Sequence, residues 1–179
     1  MLNSKKCCLV VVDVQGKLAE LMDNKDSVFA NIEILIRTAK ALDFDIIWCE
    51  QHPRALGSTI PQIARHLADM EPIDKFSFSC CGNDKFNNKL KELQPEQVIL
   101  CGIEAHVCIH QTAADLLEKN YEVHIITDAI SSRTPANKEI AIRRMQADGA
   151  LLSSTEMAMF ELLRTAKHEK FKELAKLIK

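Results

Sequence analysis

Apolar residues fall along the chain in two alternating rhythms: short unbroken runs, and longer stretches spaced three or four apart. Cys7-Cys8-Leu9-Val10-Val11-Val12 is such a run, closed by Asp13, and reads as a central parallel strand. Val28, Ile32, Leu35, Ile36 and Ala39 recur at helical spacing and predict a helix over residues 28–42. Residues 44–49 predict a second strand. Residues 51–59, with Pro53 and Gly57, predict a loop, and 60–67 a short helix. Residues 73–79 alternate, as an edge strand or an extended loop does. Residues 84–93 predict a helix with Asp84 as its N-cap. The run Val98-Ile99-Leu100-Cys101 predicts a further buried strand, broken at Gly102. Ile109, Ala113, Leu116 and Leu117 then recur at helical spacing. Residues 122–127 predict a strand ended by Asp128, 137–147 a helix closed at Gly149, 150–153 a last strand and 155–163 another helix. Phe171, Leu174, Ala175 and Ile178 stripe a final helix over about 169–179. That stripe faces either the chain's own core or a second subunit.

Strands alternating with helices at this spacing imply βαβ units: an α/β fold whose parallel sheet carries helices on both faces. No repeat, low-complexity tract or linker interrupts residues 1–179, so a single domain is expected. The 179 residues are 47% hydrophobic, enough for a substantial core. The formal net charge of −2 favours neither nucleic acid nor an acidic membrane surface. The apolar runs are too short to span a bilayer, and Lys5 and Lys6 are not followed by a signal-peptide core. Seven cysteines, with adjacent pairs at 7–8 and 80–81, match neither a disulfide framework nor a zinc-binding spacing. Reduced thiols in a cytoplasmic compartment are expected, six of the seven as small buried apolar residues.

The remaining thiol, Cys108, stands where a strand has ended and a helix begins. The unpaired N–H groups and the dipole of a helix start favour an anion, and so lower a thiol's pKa. In an open α/β sheet, ligands bind beyond the carboxyl ends of the strands. Asp13 ends the first strand. If the chain reverses direction after its first excursion, Asp13 and Cys108 lie side by side across the reversal. A carboxylate there accepts the thiol proton, the arrangement of an activated nucleophile. Two neighbouring anions need a cation, and Lys75, set among Ile73, Phe76 and Phe78, is the candidate. Taken singly, each residue has a plainer reading: a turn cap for Asp13, a solvated lysine for Lys75, a packing residue for Cys108.

Three patches supply independent support: Val10-Val11-Val12-Asp13-Val14-Gln15, Asp74-Lys75-Phe76-Ser77-Phe78 and Gly102-Ile103-Glu104-Ala105-His106-Val107-Cys108. Together, in this order, they resemble the isochorismatase-like cysteine hydrolases, over about residues 7–164. The resemblance implies a three-layer α/β/α fold with a six-stranded parallel sheet in Rossmann-like order. It implies a catalytic triad of Asp13, Lys75 and Cys108, and a cis peptide between Ile103 and Glu104. The backbone N–H groups of Glu104 and Cys108 would form an oxyanion hole. It also implies hydrolysis of a small amide or related carbonyl compound through a thioester, with no cofactor, in a homo-oligomer that is a dimer or larger. Gln15, His52 and Phe76 are the candidate pocket residues. Nicotinamidases of this family hold a metal near the position of Glu50-Gln51-His52-Pro53. Here only Glu50 and His52 echo that ligand set, so no metal is expected. His106 is expected to bond locally, and Arg133 to border the pocket or contact another subunit. A catalytically silent binding or scaffold module on the same fold is the alternative.

Overall fold

The computed structural model describes residues 1–178. In chain order the strands are β1 Cys7–Val12, β2 Asp45–Gln51, β3 Ile73–Lys75, β4 Gln97–Ile103, β5 Glu122–Ser131 and β6 Leu151–Ser153. The helices are α1 Gly16–Glu20, α2 Lys25–Ala41, α3 Pro53–Leu56, α4 Pro61–Ala64, α5 Asp84–Leu93, α6 His110–Glu118, α7 Pro135–Ala147, α8 Thr155–Leu163 and α9 Phe171–Leu174. The strands form one six-stranded sheet in the order β3-β2-β1-β4-β5-β6, every pairing parallel. The order reverses between β1 and β4, which puts the ends of these two strands side by side. Both edge strands are three residues long, which leaves little open edge for pairing with another chain.

Strand alternation divides the core in two. Leu9 and Val11 of β1 face one layer, with Val28, Ile32, Leu35 and Ile36 of α2 and Ala158 and Leu162 of α8. Cys8, Val10 and Val12 face the other, with Phe86 and Leu90 of α5, Ala113 and Leu116 of α6, and Ala141 and Met145 of α7. Gly102 shows how tightly the two central strands approach. It has φ +121°, and a Cβ there would lie 2.0 Å from the Val12 carbonyl oxygen.

Several elements differ from the expectations. Asn83, not Asp84, caps α5, its side chain accepting from Lys85 N and Phe86 N. β5 does not end at Asp128. Its register against β4 shifts between Leu100 and Gly102, and pairing resumes at Ile130 and Ser131. The bulge frees Asp128 Oδ1 to accept from the N–H and hydroxyl of Thr155 at the start of α8. β3 is shorter than the alternation suggested, because the chain turns away after Lys75. α3 stands within the loop expected over 51–59, and α1 in a stretch with no predicted element; each is about a turn long and has no periodic apolar face.

The expected final helix shrinks to α9, followed by turns, and Lys179 lies outside the described residues. Its stripe packs on the chain's own core. Leu174 is buried with Met159 and Leu163, and Phe171, Leu177 and Ile178 lean on them.

Candidate active site

Asp13 follows β1 with φ +54°, a left-handed conformation that aspartate tolerates, and its N–H donates to the Cys49 carbonyl. Lys75 is the last residue of β3, in register with Gln51 at the end of β2. Its side chain is wholly buried. Nζ donates to Asp13 Oδ2 at 2.7 Å, Gln51 Oε1 at 2.7 Å, the Phe78 carbonyl at 3.0 Å and, more weakly, the Ser77 carbonyl at 3.3 Å. An ammonium has three protons, so this cradle saturates it. A buried lysine survives only with such partners.

After β4 the Ile103–Glu104 peptide is cis, and the chain enters a wide π-type turn, Ala105–Ile109, that runs on into α6. Glu104 caps it: its carbonyl accepts from Val107 N and Ile109 N. Cys108 is thus in the first turns of a helical segment, 7% exposed. It meets Asp13, and a thiol–carboxyl contact shapes the proton affinity of both groups. That contact is not a fully aligned hydrogen bond. Asp13 Oδ1 is buried and, among the described residues, has no hydrogen-bond partner. A second acceptor on the carboxylate is therefore open beside the thiol.

The electrostatics correct one expectation. Burial pushes the Cys108 thiol well above the ordinary thiol range, Asp13 pushes it further, and Lys75 only partly opposes them. The helix start does not win over desolvation and an adjacent carboxylate. Burial likewise raises the Asp13 carboxyl, with Lys75 pulling back only in part. Burial works against the Lys75 ammonium, but Asp13 and the nearby thiols outweigh it and hold the group above the usual lysine range. The resting site is thus a neutral thiol beside an ion pair.

A cavity of about 100 Å³ opens on this cluster, lined by Asp13, Leu18, Gln51, Leu56, Phe78, Ile103, Glu104, Val107 and Cys108. The three pocket candidates are not among these residues. Gln15 is wholly buried, and its amide holds the backbone, accepting from Gln51 N and donating to the Gln51 and Gly57 carbonyls. His52 has φ +38°, which turns the chain just after Gln51, and its ring stacks on exposed Phe76 with centroids 4.6 Å apart. Gln51 and Phe78, close to them in the chain, line the cavity instead, Phe78 at its exposed mouth. The sequence signal for Gln51 was its position at the carboxyl end of a strand.

Glu104 Oε2 accepts from the N–H and Nε of Arg133, at 3.0 and 3.1 Å. Arg133 therefore reaches the site through Glu104. His106 bonds locally, Nδ1 to Ser132 Oγ at 2.9 Å. Glu50 and His52 do not converge. Glu50 Oε1 accepts from the N–H and hydroxyl of Thr59, whose hydroxyl also accepts from Trp48 Nε1.

Residues 7–157 match the family model for the isochorismatase domain. The chain belongs to the isochorismatase family. Isochorismatase domain-containing protein 2 of Danio rerio is 38% identical, over 99% of this chain and 89% of its own. The structure described as MAR1 ribonuclease from Caenorhabditis elegans superposes with a TM-score of 0.92 at 38% identity, covering 99% of this chain and 91% of that one. The YcaC gene product of Escherichia coli, described as an octameric hydrolase of unknown specificity, superposes at 0.93 with 23% identity, covering 99% and 88%. At that identity the likeness concerns the isochorismatase-type fold alone. No helix among the described residues is long and apolar enough to cross a membrane.

Proposed function

We propose that this isochorismatase-family chain is a cysteine-dependent hydrolase of a small amide or related carbonyl compound. The observation that carries the reading is the meeting of three residues distant in sequence: Asp13 and Cys108 line one small cavity, and Lys75 pairs with Asp13 behind it. Asp13 takes the Cys108 proton as substrate arrives, and the thiolate attacks the carbonyl carbon. The developing oxyanion is held by the backbone N–H groups of Glu104 and Cys108, a device worth roughly 3 kcal/mol per donor. Lys75 keeps the charge of the cluster balanced throughout. The tetrahedral intermediate collapses, Asp13 returns the proton to the leaving amine, and a thioester remains. Water, deprotonated by Asp13, attacks the thioester. The acid leaves and Cys108 regains its proton. No step calls for a metal or an organic cofactor.

The Caenorhabditis elegans relative is described as a ribonuclease. Amide hydrolysis is favoured here because no Lys, Arg or His lines the cavity. A net charge of −2 also offers no footprint for a phosphate backbone. The seven free, buried thiols support a reducing, cytoplasmic setting. Residues 1–179 act as a single domain in this reading. A homo-oligomer is supported by exposed apolar side chains on α7, β6 and α8 (Ile140, Leu151, Met157 and Phe160) and by the octameric relative.

The test is ammonia release from a panel of small amides. Cys108→Ala should lower turnover at least ~10³-fold while the melting temperature moves by only a few degrees. Equal turnover in the variant contradicts the mechanism.

A further inference from the structure

We infer that the substrate is a short, uncharged aliphatic amide, and that the cavity rejects both anionic and aromatic amides. The inference rests on Cys108 being the attacking thiol, and it adds which molecules can reach that sulfur. Three observations carry it.

Volume comes first. The cavity holds about 100 Å³. An apolar cavity that takes a benzene ring is about 150 Å³, and one water occupies roughly 30 Å³ of liquid. An amide group with a short alkyl chain is enclosed at that volume, whereas a ring would extend past Leu56 and Phe78, which are exposed at the mouth.

Lining comes second. Leu18, Leu56, Phe78, Ile103 and Val107 form apolar walls, against which an alkyl chain is desolvated favourably. Gln51 has its amide oxygen engaged by Lys75 and one of its two Nε2 protons by the Phe76 carbonyl, which leaves one neutral N–H to a substrate and no charge.

Charge comes third. Neither Lys75 nor Arg133 lines the cavity. Lys75 is saturated by Asp13, Gln51 and two carbonyls. Arg133 is bound to Glu104 Oε2 and does not itself line the cavity. Two carboxylate residues, Asp13 and Glu104, do line it. A substrate carboxylate would be stripped of water with no cation to receive it, which is strongly unfavourable. The Glu104 side chain is thus the specificity-determining group. It lines the cavity with a carboxylate and pairs with Arg133 through Nε, and the guanidinium itself stays outside the lining.

Two alkylating reagents of nearly equal size separate charge from chemistry: iodoacetamide and iodoacetate. Labelling of the Cys108 peptide is followed by mass spectrometry at pH 8.5, with free cysteine as reference and Cys108→Ala as control. The iodoacetamide-to-iodoacetate rate ratio should exceed that of free cysteine at least tenfold, and N-phenyl iodoacetamide should label at least tenfold more slowly than iodoacetamide. Hydrolysis should run in parallel, with butyramide releasing ammonia at least tenfold faster than succinamate or benzamide. A ratio equal to that of free cysteine overturns the inference. So does a ring-bearing reagent that labels as fast, or no labelling of Cys108 by any of the reagents. Faster release from succinamate or benzamide overturns it while leaving amide hydrolysis standing. Selective labelling without ammonia from any amide overturns the hydrolase reading and leaves the pocket's preference intact.

Discussion

At the scale of single residues, the account turns on where three protons sit. Asp13 must be ionised to accept the thiol proton, and burial raises its pKa beyond what Lys75 can pull back. A raised carboxyl pKa moves the acid limb upward, so activity is lost sooner as pH falls. The acid limb of kcat/KM should have its midpoint above ~3.9, the ordinary aspartate value. A midpoint at or below that value would contradict the buried pair. The neutral Cys108 thiol likewise implies no unusually reactive thiolate near pH 7 in the resting site. Asp13 and Cys108 were legible because one closes a strand and the other opens a helix, whereas Lys75 was legible as the cation that two neighbouring anions need, set among apolar residues. The inward-facing pocket residues were not. Whether Gln51 or His52 faces the cavity is decided by one positive φ at His52, and whether Gln15 lines it is decided by hydrogen bonds to residues 51 and 57. Periodicity does not report single dihedral angles.

At the scale of elements, the close approach of β1 and β4 is the feature that brings Asp13 and Cys108 together. Gly102 permits it. Alanine there would meet the Val12 carbonyl at 2.0 Å in a backbone conformation that side chains avoid. Gly102→Ala should destabilise the fold by about 4 kcal/mol or more, measured by urea unfolding. A loss under about 1 kcal/mol would mean that the two strands can separate at little cost. Long apolar runs and strongly periodic helices were readable from the chain. β5 was not, because the polar Asp128 reads as a strand end and the second half of the strand follows a bulge. The short helices α1 and α3, which bring Leu18 and Leu56 to the cavity, carry too few residues to show a period.

At the scale of the whole molecule, the α/β class and the alternation of strands and helices followed from pattern alone. The reversal between β1 and β4 was expected from the family resemblance rather than from the pattern, and the β3-β2-β1-β4-β5-β6 order bears it out. Global stability should also carry the signature of the buried thiols. Cys8 and Cys101 are held neutral by burial well above the usual thiol range, and Cys7 and Cys81 are pushed up to about 12. Above pH ~8.5 the unfolded chain releases thiol protons that the folded chain retains, so stability falls with rising pH. Each fully buried thiol contributes a slope of up to ~1.4 kcal/mol per pH unit. Urea unfolding at pH 7.5 and 9.5 should show a loss of several kcal/mol, smaller in a Cys8→Ala, Cys101→Ala variant. Equal stability at the two pH values would place these sulfurs in water.

The central claim is that Cys108 becomes acylated during turnover. The direct measurement is mass spectrometry of the protein quenched in acid while it hydrolyses butyramide, with hydroxylamine added in a parallel sample. The account predicts a butyryl adduct on the Cys108 peptide, absent after hydroxylamine, with the hydroxamate appearing in its place. Ammonia release with no acyl group on Cys108, or with an acyl group on another residue, would contradict it.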